Sequence, residues 1–163
     1  MNKLFLCTTI IVLFLAGSIH AETLKGKVLW IYDGDTIKVE KLGKIRLIGI
    51  DTPEYKASSR DRFYTKKFKT KPQRLRKIAK QAKKFNIQQV KGRQVELKFD
   101  KHKKDKYDRL LAYVYLPNGD MLNEVLLKKG LATVFRRYNF RYKKEFLRLE
   151  TKAQKNKLGL WQK

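Results

Sequence analysis

Histidine and cysteine are nearly absent: the 163 residues hold two histidines, His20 and His102, and one cysteine, Cys7. A tetrahedral zinc site, a disulfide framework and Cys–His nucleophilic catalysis each need more of these side chains than the chain owns, so all three are excluded. Serine hydrolysis fails too, because beyond the N-terminal segment the serines are Ser58 and Ser59, and His102 stands in a lysine-rich turn. No glycine-rich loop of the P-loop or dinucleotide-binding kind occurs. Acids are scarce as well, 15 against 40 Lys and Arg, for a net charge of +25. That excess favours a polyanionic partner, most simply nucleic acid, with an anionic membrane surface as the rival. What is present suffices for a core. At 42% hydrophobic and 12% aromatic residues, the chain is no disordered polycation, and its length suits one domain.

The first residues read as a secretory signal: Lys3, the apolar run Leu4 to Ala16, then small side chains. The run's thirteen residues fall short of the roughly 20 that span a bilayer as a helix. Cleavage is expected after Ala21, with Ser18 as the alternative, and an uncleaved anchor is the competing reading. Residues 1–21 then form the signal peptide and 22–163 a single exported domain, secreted or periplasmic. Loss of Lys3, Cys7 and His20 leaves a chain of net charge +24 without cysteine. Its stability does not depend on an oxidising compartment.

Short β-like segments come first. Leu24, Gly26, Val28, Trp30 and Tyr32 alternate with Lys25, Lys27, Leu29 and Ile31, which predicts a strand near 23–32. Asp33-Gly34 is a turn, Thr36 to Glu40 alternates again, and Lys41 to Lys44 turns the chain into Ile45 to Ile50, ended by Pro53. Val95, Leu97 and Phe99 form a fourth strand and Arg109 to Leu116 a fifth, closed by Pro117-Asn118-Gly119-Asp120. Leu75, Ile78, Ala79, Ala82 and Phe85 stripe one helix. Asn123 is expected to cap a second, which runs to Lys129 before Gly130. Tyr142, Phe146, Leu149 and Ala153 stripe a third. Between Tyr55 and Pro72 a basic stretch without period reads as a mobile loop. Three strands, a helix and two more strands suggest an OB-fold barrel with packed helices, an α+β architecture.

The acids are few but clustered. Depending on register, the hairpin lays Asp35 opposite a residue between Ile48 and Asp51, so Asp33-Gly34-Asp35-Thr36 meets Asp51-Thr52-Pro53-Glu54 at its open end. Facing like charges are destabilising there, and a divalent cation bound by carboxylates and carbonyls would compensate them. The plainer reading of an isolated Asp-Gly is turn chemistry alone. Arg46 and Arg109 lie in runs that otherwise read as core. Each faces solvent or forks onto a carboxylate or phosphate.

Asp33-Gly34-Asp35-Thr36, Arg46 to Glu54 (RLIGIDTPE), Asp105 to Tyr113 (DKYDRLLAY), Asn123-Glu124 and Gly130-Leu131-Ala132 stand in the order and approximate spacing of the staphylococcal-type nucleases, the thermonuclease family. The stretch Ala153 to Trp161 is also similar, so the resemblance covers nearly the whole mature chain. It implies a five-stranded OB-fold barrel with three packed helices. It also implies a secreted, monomeric, Ca²⁺-dependent phosphodiesterase acting on DNA and RNA, with single-stranded or denatured substrates preferred. Carried over by position, it assigns Asp35, Asp51 and the Thr52 carbonyl to the metal, with Asp33 nearby. Glu54 matches the carboxylate that activates or orients the attacking water, and Arg46 and Arg109 the arginines on the scissile phosphate. Lys106, Tyr107 and Tyr138 match nucleotide-binding positions, and the implied cleavage breaks P–O5′ and leaves 3′-phosphate ends.

Two departures stand out. Asp108 occupies a position where many relatives have glycine, and its charge is expected to compete for Arg109 or to modify metal affinity. Arg136 replaces one member of a nucleotide-lining tyrosine pair, so base stacking is expected to pass to its plane or to Phe135. The insertion at about 55–72 opens a longer basic segment. Residues 56–93 hold 15 Lys and Arg against Asp61 alone, a local charge of +14, read as a solvated face that adds contacts to a nucleic-acid backbone. A catalytically silent OB-fold that binds single strands and a membrane-active cationic protein with an amphipathic helix at 74–87 are the alternatives.

Overall fold

Alternating side chains build the barrel, and one irregularity in the first strand decides which of them face inward. The computed structural model describes residues 23–162; the expected leader and its cleavage sites lie outside them. Strand β1 (Thr23–Ile31) pairs with β2 (Thr36–Val39), but their register shifts between Val28 and Trp30. The bulge changes the inward face, so Ile31 is buried with Val28 while Trp30 is half exposed. Simple alternation had placed Trp30 with Val28 instead. Strand β3 (Gly43–Leu47) returns antiparallel to β2.

The predicted β3 runs on to Ile50, but the observed strand stops at Leu47. Thr36 faces Arg46, and the Leu47 amide donates to the Asp35 carbonyl at 2.9 Å. Leu47 is therefore Asp35's partner in the ladder, rather than a residue between Ile48 and Asp51. The chain then turns at Gly49, whose φ of +75° favours glycine. A Cβ there would meet the Phe140 ring at 2.5 Å. Past the turn, β4 (Ile50–Asp51) pairs with β7 (Thr133–Val134) outside the barrel. That separate pairing carries Asp51 back toward Asp35.

Helix α1 (Asp61–Phe68) occupies the segment expected to be a loop. Eight residues rarely hold a helix alone, and this one is docked by its aromatic side. Tyr64 is fully buried, stacks on Phe68 at 5.8 Å, and Phe68 meets Trp161 edge-on at 4.7 Å. Helix α2 (Pro72–Val90) begins with Pro at its first turn, where the missing N–H costs nothing. Its buried face contains the predicted Leu75, Ile78, Ala79 and Ala82, together with Asn86 and Val90.

Strands β5 (Gln94–Lys98) and β6 (Leu110–Tyr115) complete a closed barrel in the order β1-β2-β3-β6-β5, with β3 and β6 parallel. This is the expected five-stranded OB-fold, with four α-helices among the described residues instead of three. Helix α4 (Lys143–Lys155) buries Phe146, Leu149 and Ala153 as its stripe predicts. Among the described residues no helix is long and apolar enough to cross a membrane.

Helix α3 (Leu122–Lys128) corrects a local expectation. Its N-cap is Met121, and Asn123 is the second helical residue, fully buried. The Asn123 amide nitrogen donates to the Ile48 carbonyl at 2.9 Å, and its oxygen accepts from the Val114 N–H at 3.0 Å. It ties β6 to the turn that aims Asp51. Asn123→Ala is expected to lower stability by about 2 kcal/mol, because it strips partners from two buried main-chain groups. Urea unfolding checks this, and a change within experimental error would show that the bridge carries no energy.

Candidate active site

The β1–β2 turn is shaped before any partner arrives. The Asp33 carboxylate accepts the Asp35 N–H at 2.9 Å. From below, the buried Asn86 amide on α2 donates to the Gly34 carbonyl at 2.9 Å and the Asp33 carbonyl at 3.3 Å. Gly34 packs so closely that a Cβ would lie 2.8 Å from that of Ala82. The turn thus presents Asp35 in a fixed direction.

Asp35 and Asp51 are both buried, and one guanidinium holds them. Arg46 places its Nη1 3.0 Å from Asp35 Oδ1 and its Nη2 3.1 Å from Asp51 Oδ1. The second Asp35 oxygen accepts the Thr52 N–H at 2.8 Å and hydroxyl at 3.0 Å. The second Asp51 oxygen accepts from the Tyr64 hydroxyl and pairs with Arg60. Tyr64 also lies 3.0 Å from the Thr52 carbonyl. Helix α1 and the residue before it therefore seal the carboxylate pair on the side away from Arg46.

Electrostatics records the crowding. Burial, then the charge of Asp35, pushes the Asp33 carboxyl up to about 7. The same two causes push Asp51 upward, against Arg46, the Tyr64 hydrogen bond and Arg60. Glu54 is half-buried and takes no part in these ion pairs. Its carboxyl is raised by burial and by Asp35, with Arg60 opposing. Its main-chain carbonyl accepts from Arg76 of α2, which also pairs with Asp61.

Arg109 reaches the cluster through Thr36, whose hydroxyl lies 3.5 Å from Arg109 Nη1 and 3.1 Å from Asp35 Oδ1. Its main partner is Asp105, whose Oδ2 it grips with Nε at 2.8 Å and Nη2 at 2.7 Å. Burial opposes ionisation of Asp105, but Arg109 and the Tyr107 N–H hold its carboxyl below the usual range. Asp108 adopts a left-handed φ of +59° and pairs with Lys104 at 2.7 Å in solvent. The expected competition for Arg109 comes from Asp105, not Asp108. Lys106 and Tyr107 follow in the same loop, with Tyr107 strongly exposed beneath the Lys106 and Arg109 cations.

Tyr138 is exposed and packs on Phe135, ring centroids 5.7 Å apart. Arg136 is exposed, but its guanidinium is held at its edge. It pairs with the buried Glu150 and donates to the Val134 carbonyl at 3.1 Å. Burial disfavours the Glu150 charge, yet hydrogen bonds from Arg136, the Thr133 hydroxyl and the Val134 N–H hold its carboxyl below the usual range. Sequence reasoning missed Arg60, Tyr64, Asn86 and Asp105. The aromatic pair Tyr64 and Phe68, four residues apart, was the one signal available for α1.

Among the described residues no three His, Cys, Asp or Glu side chains gather as a metal cluster. A cation here would draw on the Asp35 and Asp51 carboxylates and the Thr52 carbonyl. These are hard oxygen donors, and they fit Ca²⁺ in its flexible geometry. The two acids already share one cationic group, which shows that their geometry can serve a single positive centre. Half-buried Glu54 and Arg109 flank the carboxylate pair without joining its ion pairs.

Arg136→Ala is expected to destabilise the protein by about 2 kcal/mol at neutral pH, the value of a hydrogen-bonded charge. A depressed carboxyl contributes its stability above the unfolded value and loses it as pH falls through the folded one. The difference from wild type should therefore shrink toward about pH 3, as unfolding curves at the two pH values would show. An equal gap in acid would contradict the assignment.

Comparison with known proteins agrees with this geometry. Residues 44–163 match the model of the staphylococcal nuclease homologue family, a range that holds Arg46, Asp51, Thr52, Glu54 and Arg109. The thermonuclease of Staphylococcus hyicus is 39% identical over 150 residues, which is 90% of this chain and 80% of that one. The thermonuclease of Staphylococcus intermedius is 36% identical over 82% of this chain and 73% of its own. Endonuclease YncB of Bacillus subtilis is 39% identical over 80% of this chain and 58% of its own length. On the match across residues 44–163 and the identity to the Staphylococcus hyicus protein, the chain belongs to the staphylococcal nuclease homologue family.

Proposed function

We propose that this phosphodiesterase is a Ca²⁺-dependent nuclease exported from the cell, which cleaves DNA and RNA as a monomer. Single-stranded or denatured strands are its preferred substrates, because a splayed strand can lay its phosphate among Arg46, Glu54 and Arg109. The observation that carries the reading is the Arg46 fork across Asp35 and Asp51, beside a half-exposed Glu54. A pure binding module needs no such constellation.

Asp35, Asp51 and the Thr52 carbonyl would hold the Ca²⁺, which when bound supplies Lewis-acid polarisation of a phosphate oxygen. Glu54, with its carboxyl raised toward a better proton acceptor, orients a water for in-line attack and takes its proton. The water oxygen bonds to phosphorus as the P–O5′ bond breaks, solvent protonates the departing O5′ while Glu54 returns its proton to solvent, and the phosphate remains on the 3′ oxygen. Arg46 and Arg109 meet the charge that builds on the non-bridging oxygens. Both arginines rest on carboxylates in this structure and exchange them for phosphate. Lys106 and Tyr107 engage a neighbouring nucleotide, and Tyr138 a base.

Purified residues 22–163 should degrade denatured DNA with Ca²⁺ and leave it intact with EGTA. Glu54→Gln should lose two to three decades in rate, the usual loss of one such group. Cleavage that survives EGTA or Glu54→Gln would refute the reading, and intact DNA in all tubes would favour the silent OB-fold. Tyr64→Phe keeps the ring packing and removes the hydroxyl that orients Asp51 and Thr52. Its Ca²⁺ affinity, measured by calorimetry, should fall about tenfold. Unchanged affinity would show that Tyr64 serves packing alone.

A further inference from the structure

Apart from Arg76, which pairs with Asp61, helix α2 carries cations with no ion pair among the described residues. No Asp or Glu occurs between Arg62 and Val95. On α3 and α4, by contrast, Lys128 pairs with Glu124 and Arg148 with Glu145. Gln73, Arg76, Lys77, Lys80, Gln81 and Lys84 line a shallow groove along α2. The helix abuts the active site, since Arg76 holds the Glu54 carbonyl and Asn86 the Gly34 carbonyl. Tyr55, the residue after Glu54, stands at this junction 47% exposed. The ammonium groups of Lys80 and Lys83 lie 5.8 and 5.6 Å from its ring centroid.

An exposed aromatic flanked by unpaired ammoniums is the composition of a single-strand platform, in which a base stacks and its phosphates meet the cations. We propose that Tyr55, Lys80 and Lys83, continued by Lys77 and Lys84, form a second nucleotide subsite for single-stranded nucleic acid. It is separate from the Lys106–Tyr107 loop beyond Arg109. A strand cut beside Glu54 passes over Tyr55 onto the α2 groove, so the enzyme grips polymers more tightly than short fragments. The proposal rests on the nuclease reading, but it concerns binding and is tested by binding.

The full mature chain bearing Glu54→Gln would be titrated, without Ca²⁺, with labelled oligothymidylates of about 3 and about 15 nucleotides, one below and one within the roughly 4–16 nucleotides that an OB fold covers. Adding Lys80→Gln and Lys83→Gln should weaken the long strand about tenfold and reduce its log–log salt slope by about 1.4, near 0.7 for each lost phosphate contact on single strands. Adding Tyr55→Leu should weaken the long strand about tenfold, as loss of one stacked base does, and leave the slope unchanged. The 3-nucleotide strand should show no comparable loss. Lys152→Gln with Lys155→Gln on α4 removes the same charge away from the groove and should change the long-strand affinity far less.

An equal loss from the α4 pair would reduce the effect to net charge and overturn the subsite. So would a Tyr55→Leu affinity equal to the parent's. If the α2 variants instead release anionic phosphatidylglycerol vesicles and hold the long strand normally, the face is a membrane surface and the proposal is wrong. Failure of the nuclease reading shows separately, as absence of Ca²⁺-dependent cleavage by the wild type.

Discussion

Two buried carboxylates held by one guanidinium set the terms for everything around them. Asp35 and Asp51 repel each other at short range in a medium that screens poorly, and Arg46 offsets part of that penalty by pairing with both. The arrangement demands accuracy, because a fork misplaced by an ångström leaves one acid uncompensated. Several unrelated features of the fold supply it. Gly49 turns the chain out of β3, the β4–β7 pair carries Asp51 back, Asn123 fastens the turn to β6, and Asn86 fixes the turn that bears Asp35. Each spends a buried polar contact on the direction of a carboxylate rather than on the barrel itself.

The inserted helix α1 extends the same logic from the opposite side. Its aromatic face buries Tyr64 against Phe68 and, through it, Trp161, which supplies the apolar area an eight-residue helix needs. Its polar edge then delivers the Tyr64 hydroxyl and Arg60 to the second oxygen of Asp51. One short helix is thus anchored by packing and spent on electrostatics. The two arginines on Asp51 differ in accessibility, with 13% of the Arg46 side chain exposed and 40% of Arg60. Arg60 is the partner that can leave for solvent at little cost in packing.

The barrel and the central residues were legible because both leave local marks. Alternation marks strands, Asp-Gly marks the turn, and a strand-embedded arginine such as Arg46 asks for an anion. What escaped is non-local. Tyr64 meets Asp51 across 13 residues, Arg76 meets Glu54 across 22, and Asn86 meets Gly34 across 52. Periodicity reports which face of a helix is buried but not which polar atom waits beneath it, so Asn86 read as an exception to a stripe. Asn123 read as a cap because Asn favours that place, and tertiary partners at Ile48 and Val114 overrode the preference. The Arg136–Glu150 pair escaped for the same reason, since its members stand 14 residues apart along the chain.

If the proposed function holds, the net charge of +25 sets an electrostatic problem for binding of the cation. A divalent ion approaching Asp35 and Asp51 moves against the field of the +14 segment at residues 56–93. A bound strand reverses that field, since its phosphates neutralise the α2 lysines and bring negative charge to the edge of the site. On the proposed function, strand and Ca²⁺ therefore assist each other, each binding more tightly in the presence of the other, as linkage requires of any such coupling. Arg46 and Arg109 take part in the same exchange. Each is satisfied by a carboxylate until phosphate arrives, so the free site holds no exposed fork to capture a passing anion. On the proposed function the basic surplus thereby works as a condition on cation binding as well as an attraction for substrate, and the charges of the site assemble only around a polymer.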